Sequence, residues 1–191
     1  GNQATEMAKG FLTTLWAAIE SEDSYETRIQ QLESVKKIIE AAGSNFLNQQ
    51  EVLAIGEKTI KLFLSSLKSR ENPQSSKYLE YQKELEDNLH AAISDILGAI
   101  FKTHKQFCYP ILEYLFTGIF SNFLREEAKP EDQKFALYIA DDIVEFLGEE
   151  SVAPKWNELG QALVKFAKSP HEEIRQAACY GLGTFAQNSN N

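Results

Sequence analysis

The sequence predicts an all-α chain, and three observations predict it. Apolar residues recur at spacings of three and four along almost the whole length. Capping residues, prolines and glycines punctuate the pattern where helices have to start and stop. No stretch alternates apolar and polar between hairpin turn signals, as a half-buried strand would.

Taken in order, Met7, Phe11, Leu15 and Ile19 line one face of a first helix, with Leu12 and Trp16 widening the stripe. Asp23 followed by Glu26 reads as a capping box ahead of Ile29, Leu32, Val35 and Ile39. Gly43 stands where a left-handed residue would end that second helix. Asn48 and Glu51 repeat the capping signal before Val52, Ile55, Leu62 and Leu67, and Pro73 forbids continuation. The fourth helix is the longest. It starts near Ser75-Ser76 and steps through Tyr81, Leu85, Leu89, Ile93, Ile96, Ile100 and His104, roughly 40 Å at 1.5 Å per residue.

Pro110 introduces a fifth helix, apolar on most of its circumference through Ile111, Leu115, Phe116, Ile119, Phe120 and Phe123, which predicts cover on several sides. Pro130 opens a sixth, with Ala136, Ile139, Ile143 and Leu147 on one face and Gly148 as its stop. Leu159, Leu163 and Phe166 define a seventh. Ser169-Pro170-His171-Glu172 then predicts a Ser N-cap with Pro at the first helical position, leading into Ile174, Ala177, Ala178, Gly181 and Phe185.

Eight helices make four antiparallel pairs, over residues 3–44, 46–105, 106–149 and 150–188. Three of these run close to 40 residues, and the second is lengthened by an insertion from Arg70 to Lys77. Two helices per unit of about 40 residues is the pattern of a HEAT-type solenoid, an α-α superhelix in which no pair can bury its apolar face alone. An eight-helix globular bundle is the alternative, but it has no reason to repeat the turn chemistry. The expectation is one array over residues 1–191. A start at Gly1 and a polar run from Asn188 to Asn191 after a strong helical pattern read as a piece cut from a longer protein.

Composition narrows the function. With 19 Lys plus Arg against 28 Asp plus Glu the net charge is −9, so no nucleic-acid surface is expected, whereas basic protein partners are compatible. Cys108 and Cys179, 71 residues apart, make neither a disulfide framework nor a structural zinc site. Apolar runs are far short of the roughly 20 residues of a membrane span, and no signal peptide opens the chain.

Chemistry has little support. Asp87-x-x-His90 places an acid and a histidine on one helical face, yet a di-metal bundle site needs a second copy and two further carboxylates. His104 and Cys108 lack a positioned third group, and His171-Glu172-Glu173 lacks the second histidine of a zincin. No phosphate-cradling glycine loop is legible. An enzyme is not expected, nor any cofactor or metal.

The last unit is the most specific. In Ser169-Pro170-His171-Glu172-Glu173-Ile174-Arg175-Gln176-Ala177-Ala178, Pro170 starts the helix and Ile174 fills the gap between paired helices. Ala177 and Ala178 permit close packing, and Arg175 can reach an acid or carbonyl of an adjacent repeat. This turn resembles the signature of a HEAT repeat. It departs from it at Ser169, where many repeats carry an Asp six residues before the Arg. Arg175-Gln176-Ala177-Ala178-Cys179-Tyr180-Gly181-Leu182-Gly183, with Phe185-Ala186-Gln187, resembles the importin-β (karyopherin-β) nuclear transport receptors, most nearly their importin beta-3 or Ran-binding protein 5 type. Ile139-Ala140-Asp141-Asp142-Ile143-Val144-Glu145 and Ile93 to Phe101 are similar to preceding helices of the same group. The likeness spans about residues 80–187, while residues 1–75 fit only as helical repeats.

That resemblance implies a fragment from the later part of a long solenoid. It implies cargo and Ran in its GTP form on the face built from second helices, and phenylalanine-glycine nucleoporins in grooves between first helices. The family's main Ran contacts lie mostly outside such a fragment. It implies shuttling between cytoplasm and nucleus. Asp141, Asp142 and Glu145 on the sixth helix are the candidate concave-face binding residues for basic localisation segments, because two of them can share a face and attract Lys or Arg. Phe116, Phe120 and Phe123 are either core or groove lining. The alternatives are a HEAT scaffold outside transport, organising a phosphatase or chromatin complex, and a helical-bundle enzyme.

Overall fold

The computed structural model describes residues 2–68, 70, 76–153 and 155–189. All of its regular structure is helical among those residues. The helices are α1 Asn2–Ser21, α2 Tyr25–Ala42, α3 Gln49–Lys68, α4 Ser76–Thr103, α5 Tyr109–Tyr114, α6 Ser121–Phe123, α7 Pro130–Phe146, α8 Gly148–Val152, α9 Trp156–Phe166 and α10 Glu172–Asn188. The fold is all-α, of the HEAT-repeat solenoid type, with helices packed in pairs. The chain divides into two compact units, residues 1–104 and 105–191.

In the first unit α1 packs on α2 and α3 on α4, and the most extensive packing joins the two second helices, α2 and α4. Leu32, Val35 and Ile39 of α2 and Leu89, Ile93, Ile96 and Ile100 of α4 are fully buried, so these two helices form the core. The helix ends follow the sequence closely. The Asn48 side chain accepts from the Glu51 N–H at 3.0 Å while Glu51 accepts from the Asn48 N–H at 2.8 Å, a reciprocal capping box. Gly43 takes φ 76°, a conformation that favours glycine. His104 locks the turn between α2 and α3 to the end of α4: its Nε2 accepts from the Leu47 N–H at 3.1 Å.

Several expectations shift here. The cap of α2 is Ser24 rather than Asp23, accepting from the Thr27 N–H at 3.3 Å. The inward face of α1 is Leu12, Trp16 and Ile19, whereas Met7 and Phe11 are exposed, so the stripe is rotated by about one residue. Tyr81 is likewise exposed, donating its hydroxyl to Glu26 at 2.6 Å. Phe63 is the fully buried anchor of α3, while Leu62 and Leu67 are half-buried. Gly1, Pro73, Ser75, Asn190 and Asn191 lie outside the described residues.

In the second unit the first helix of the leading pair is composite. Between α5 and α6 the chain widens into a π-helix over Leu115–Phe120, closed by the Ser121 N–H to the Phe116 carbonyl. The sequence predicts one continuous α-helix there. The wider turn still sends Leu115, Phe116, Ile119 and Phe120 inward, so the apolar pattern does not announce it. α8 is an additional short helix beginning at Gly148, whose φ of 74° ends α7 as expected. α10 packs on α7 and on α9, and the α7–α10 contact dominates, as α2–α4 does in the first unit. Trp156 stacks on Phe185 at 4.4 Å between ring centroids.

The signature turn is also displaced. α10 begins at Glu172, so Pro170 lies in the turn, and the Ser169 hydroxyl accepts from the His171 N–H at 3.2 Å instead of capping the helix. Asn188 belongs to α10 and donates to the Val144 carbonyl at 3.2 Å. Arg175 reaches no adjacent repeat: its Nη1 donates to the carbonyls of Ser169 and Pro170 at 2.8 and 2.9 Å. Ile174, Ala177 and Ala178 are buried as the signature requires.

Candidate functional site

The three acids of α7 separate by burial. Residues 141, 142 and 145 sit within little more than one turn, so only packing decides which of them meets solvent. Glu145 is exposed and accepts the Tyr180 hydroxyl of α10 at 2.7 Å. Asp142 is half-buried. Asp141 is 5% exposed and lies in the α7–α10 contact, so it does not stand on the open face with its neighbours. A Cβ on Gly181 would come within 2.0 Å of its Oδ1, which is why a residue without a side chain faces it. Burial, with the nearby charges of Asp142 and Glu145, pushes the Asp141 carboxyl up to about 8. It is therefore largely a neutral acid at pH 7, and the remaining charge on this face belongs to Asp142 and Glu145.

Beside that charge stand two exposed tyrosines, Tyr138 of α7 and Tyr180 of α10. Hydrogen bonding to Glu145 holds the Tyr180 phenol above its ordinary range. Along the same helices Lys134 pairs with Glu173 at 2.9 Å. A carboxylate next to aromatic faces is chemically suited to the ammonium or guanidinium of an extended basic segment.

Each unit also carries a cleft beside a first helix, between α1 and α3 in the first unit and between α5 with its π-helical continuation and the end of α8 in the second. In the first unit Leu12 and Trp16 of α1 face Ala54 and Ile55 of α3 across a cleft of about 150 Å³. Lys9 and Glu51, 2.9 Å apart, close one end, and Lys58 lies 6.0 Å from the Trp16 ring centroid. In the second unit a cleft of about 320 Å³ runs between Leu112 and Phe116 on one side and Val152 and Ala153 on the other. There Lys155 lies 5.6 Å from the Phe116 ring. Both clefts combine an apolar floor with a lysine over an aromatic ring. Residue spacing marked Phe116 as core or lining without choosing, and it is both: 8% exposed and in the cleft wall.

His90, His104 and Cys108 are buried and occupy structural places. His90 is buried, with its Nε2 2.7 Å from the Ser66 hydroxyl and 3.7 Å from Glu86. Burial lowers the His104 pKa against the opposing pull of Glu51, and raises the Cys108 thiol to about 12, leaving it protonated and unreactive. Among the described residues no group of three or more His, Cys, Asp or Glu could hold a metal ion. No helix among them is long and apolar enough to cross a membrane.

No protein-family model matches the chain. Solved structures do. The karyopherin Kap121p bound to the SUMO protease Ulp1p superposes with a TM-score of 0.78 at 21% identity, covering 97% of this chain and 17% of that one. Kap121p bound to Nup53p gives 0.77 at 21% identity, and Kap121p bound to Pho4p gives 0.76 at 22%, each covering 98% of this chain and 17% of that one. The likeness establishes a karyopherin-type HEAT fold. The chain spans about a sixth of the length of these structures.

Proposed function

We propose that this chain is a segment of a nuclear transport receptor of the importin-β type, most like its importin beta-3 or Ran-binding protein 5 members. The observation that carries the reading is the likeness to Kap121p chains over nearly the whole of these residues. In this reading the two units are consecutive parts of one HEAT array.

The second-helix face of α7 and α10 contributes to holding basic segments of protein cargo, with Asp142 and Glu145 supplying charge and Tyr180 an aromatic wall. Asp141 takes no direct part, because its carboxyl is buried and largely neutral. The two clefts beside first helices accept the phenylalanine side chains of nucleoporins: each has an apolar floor, and the larger, of about 320 Å³, has room for one benzyl group. Ran in its GTP form is engaged mainly by parts of a longer receptor outside these 191 residues. Such a protein works by binding and release in cytoplasm and nucleus, with no bond chemistry, cofactor or metal of its own.

The deciding measurement is binding of the full-length parent to Ran loaded with GTP and, separately, with GDP. Strong preference for the GTP form is the expected result. Equal or absent binding would favour a HEAT scaffold outside transport. On the 191-residue chain, a phenylalanine-glycine peptide should perturb the NMR signals of Leu112 and Val152, and the exposed-site variant Ala153→Arg should abolish that perturbation.

A further inference from the structure

Asp141 is a buried carboxyl whose described surroundings oppose its charge. Its own helix brings Asp142 and Glu145 to bear on it, both acidic. α10 brings Tyr180, a group that is neutral or negative, and the Cα of Gly181. α9 places the Leu163 side chain at the same point, 2.7 Å from where a Gly181 Cβ would stand. Among the described residues Asp141 has no hydrogen bond or ion pair, and its Oδ1 is buried without a partner. An ionised carboxylate in such a place has lost most of its water and gained no opposite charge, whereas the neutral acid is tolerated at far smaller cost.

We infer that the joint between α7 and α10 is latched by a proton: it packs tightly over the protonated Asp141 carboxyl and loosens when that proton leaves to water. The position makes the latch consequential. α7 and α10 are the two second helices of this unit and share its most extensive contact, so the seam between successive helix pairs runs past this side chain. The close approach of α10 at Gly181 crowds the Oδ1 side of the carboxyl, so full hydration of a charged Asp141 requires the helices to move apart. The elevation of the Asp141 carboxyl to about 8 agrees with the geometry and sets the range in which the latch releases.

Between the unfolded value near 3.8 and the folded value near 8 the folded chain holds a proton that the unfolded chain has released. The stabilisation is full below the unfolded value and is lost progressively as pH rises to the folded one. The test is a series of melting curves from about pH 5 to 9 on the 191-residue chain and on Asp141→Asn, with carbon-detected NMR titration of the aspartate carboxyls. In the expected result the melting temperature of the parent falls relative to Asp141→Asn up to about pH 8 and then levels. One aspartate titrates near 8 with the Gly181 amide shifting in step, and both signals vanish in the variant. Parallel melting curves, or titration of every aspartate below about pH 5, would overturn the inference. Should Asp141→Asn fail to fold, the titration of the parent chain decides alone.

Discussion

Arg175 and Ser169 are joined through the backbone: the guanidinium donates to the Ser169 carbonyl at 2.8 Å, and the same nitrogen reaches the Pro170 carbonyl at 2.9 Å. The arginine of the signature thus closes its own turn, at the position where many HEAT repeats place an aspartate. A carbonyl replaces the carboxylate, so the interaction survives the change to serine. Charge-assisted bonds of this kind contribute about 1.5–3 kcal/mol, and partial exposure puts this pair toward the lower end. Arg175→Ala should cost about 1–2 kcal/mol in chemical denaturation, and Arg175→Lys should recover only part, because the lysine is shorter and its ammonium is more strongly hydrated than a guanidinium. Ser169→Ala should be nearly silent, since it leaves that carbonyl in place and removes only the hydroxyl that accepts from His171.

Gly181 and Gly183 make a controlled pair on one helix. A Cβ at Gly181 would meet Asp141 Oδ1 at 2.0 Å and Leu163 Cδ2 at 2.7 Å, whereas at Gly183 it would meet nothing within 4 Å. Gly181→Ala should therefore destabilise by about 1–3 kcal/mol through overpacking. Gly183→Ala should stabilise by up to about 1 kcal/mol through helix propensity. Denaturant midpoints of the two variants, measured together, separate packing from propensity; equal shifts would contradict the close approach of α10 to α7.

Local chemistry was legible to within a residue or two, as the shifts of cap from Asp23 to Ser24 and of the α10 start from Pro170 to Glu172 show, and distant chemistry was not. The Asn48–Glu51 box and the glycines at 43 and 148 needed only neighbours within four residues, and they stand where the sequence puts them. Helix faces were read to within about one residue: Met7 and Phe11 share the spacing of Ile19, but only packing against α2 decides that Leu12 and Trp16 turn inward. The π-helix at Leu115–Phe120 keeps the same apolar residues buried as an α-helix would, so no pattern could reveal it. Asp141, Asp142 and Glu145 were found as an acidic group. That Asp141 is buried depends on Gly181, 40 residues away, and no property of α7 alone contains that fact.

His104 should give the first unit a pH dependence opposite to that of the Asp141 seam. Burial depresses its pKa, partly offset by Glu51, and the neutral ring accepts from the Leu47 N–H. A histidine depressed on folding binds a proton more readily in the unfolded chain. Stability is therefore present above the unfolded value near 6.5 and is lost as pH falls through it toward the folded value. Melting of the isolated 191-residue chain should show this acid-side loss, and His104→Gln should flatten it while lowering stability at pH 7. Acid-side loss of equal size in His104→Gln would assign the effect to other groups, Glu51 among them.

Glu145 is the residue on which the basic-segment reading turns. It is the exposed acid of its group, it accepts the Tyr180 hydroxyl, and its charge lies next to an aromatic face rather than inside an ion pair. Glu145→Lys reverses that charge at an exposed site and removes from the α7–α10 contact only the Tyr180 hydrogen bond, whereas Asp141→Lys would drive an ammonium into the buried seam and unfold it. A lysine-rich peptide should bind the Glu145→Lys chain about 5- to 10-fold more weakly at low salt, because one nearby charge reversal in a solvated site is worth about 1 kcal/mol. Raising the salt should shrink the difference, since screening at 0.15 M already acts over about 8 Å. Tyr180→Phe removes the hydroxyl and keeps the ring, so it should cost less than the charge reversal. Fluorescence anisotropy on the three chains, with circular dichroism confirming equal helicity, ranks them; an unchanged affinity in Glu145→Lys would remove this face from the binding surface.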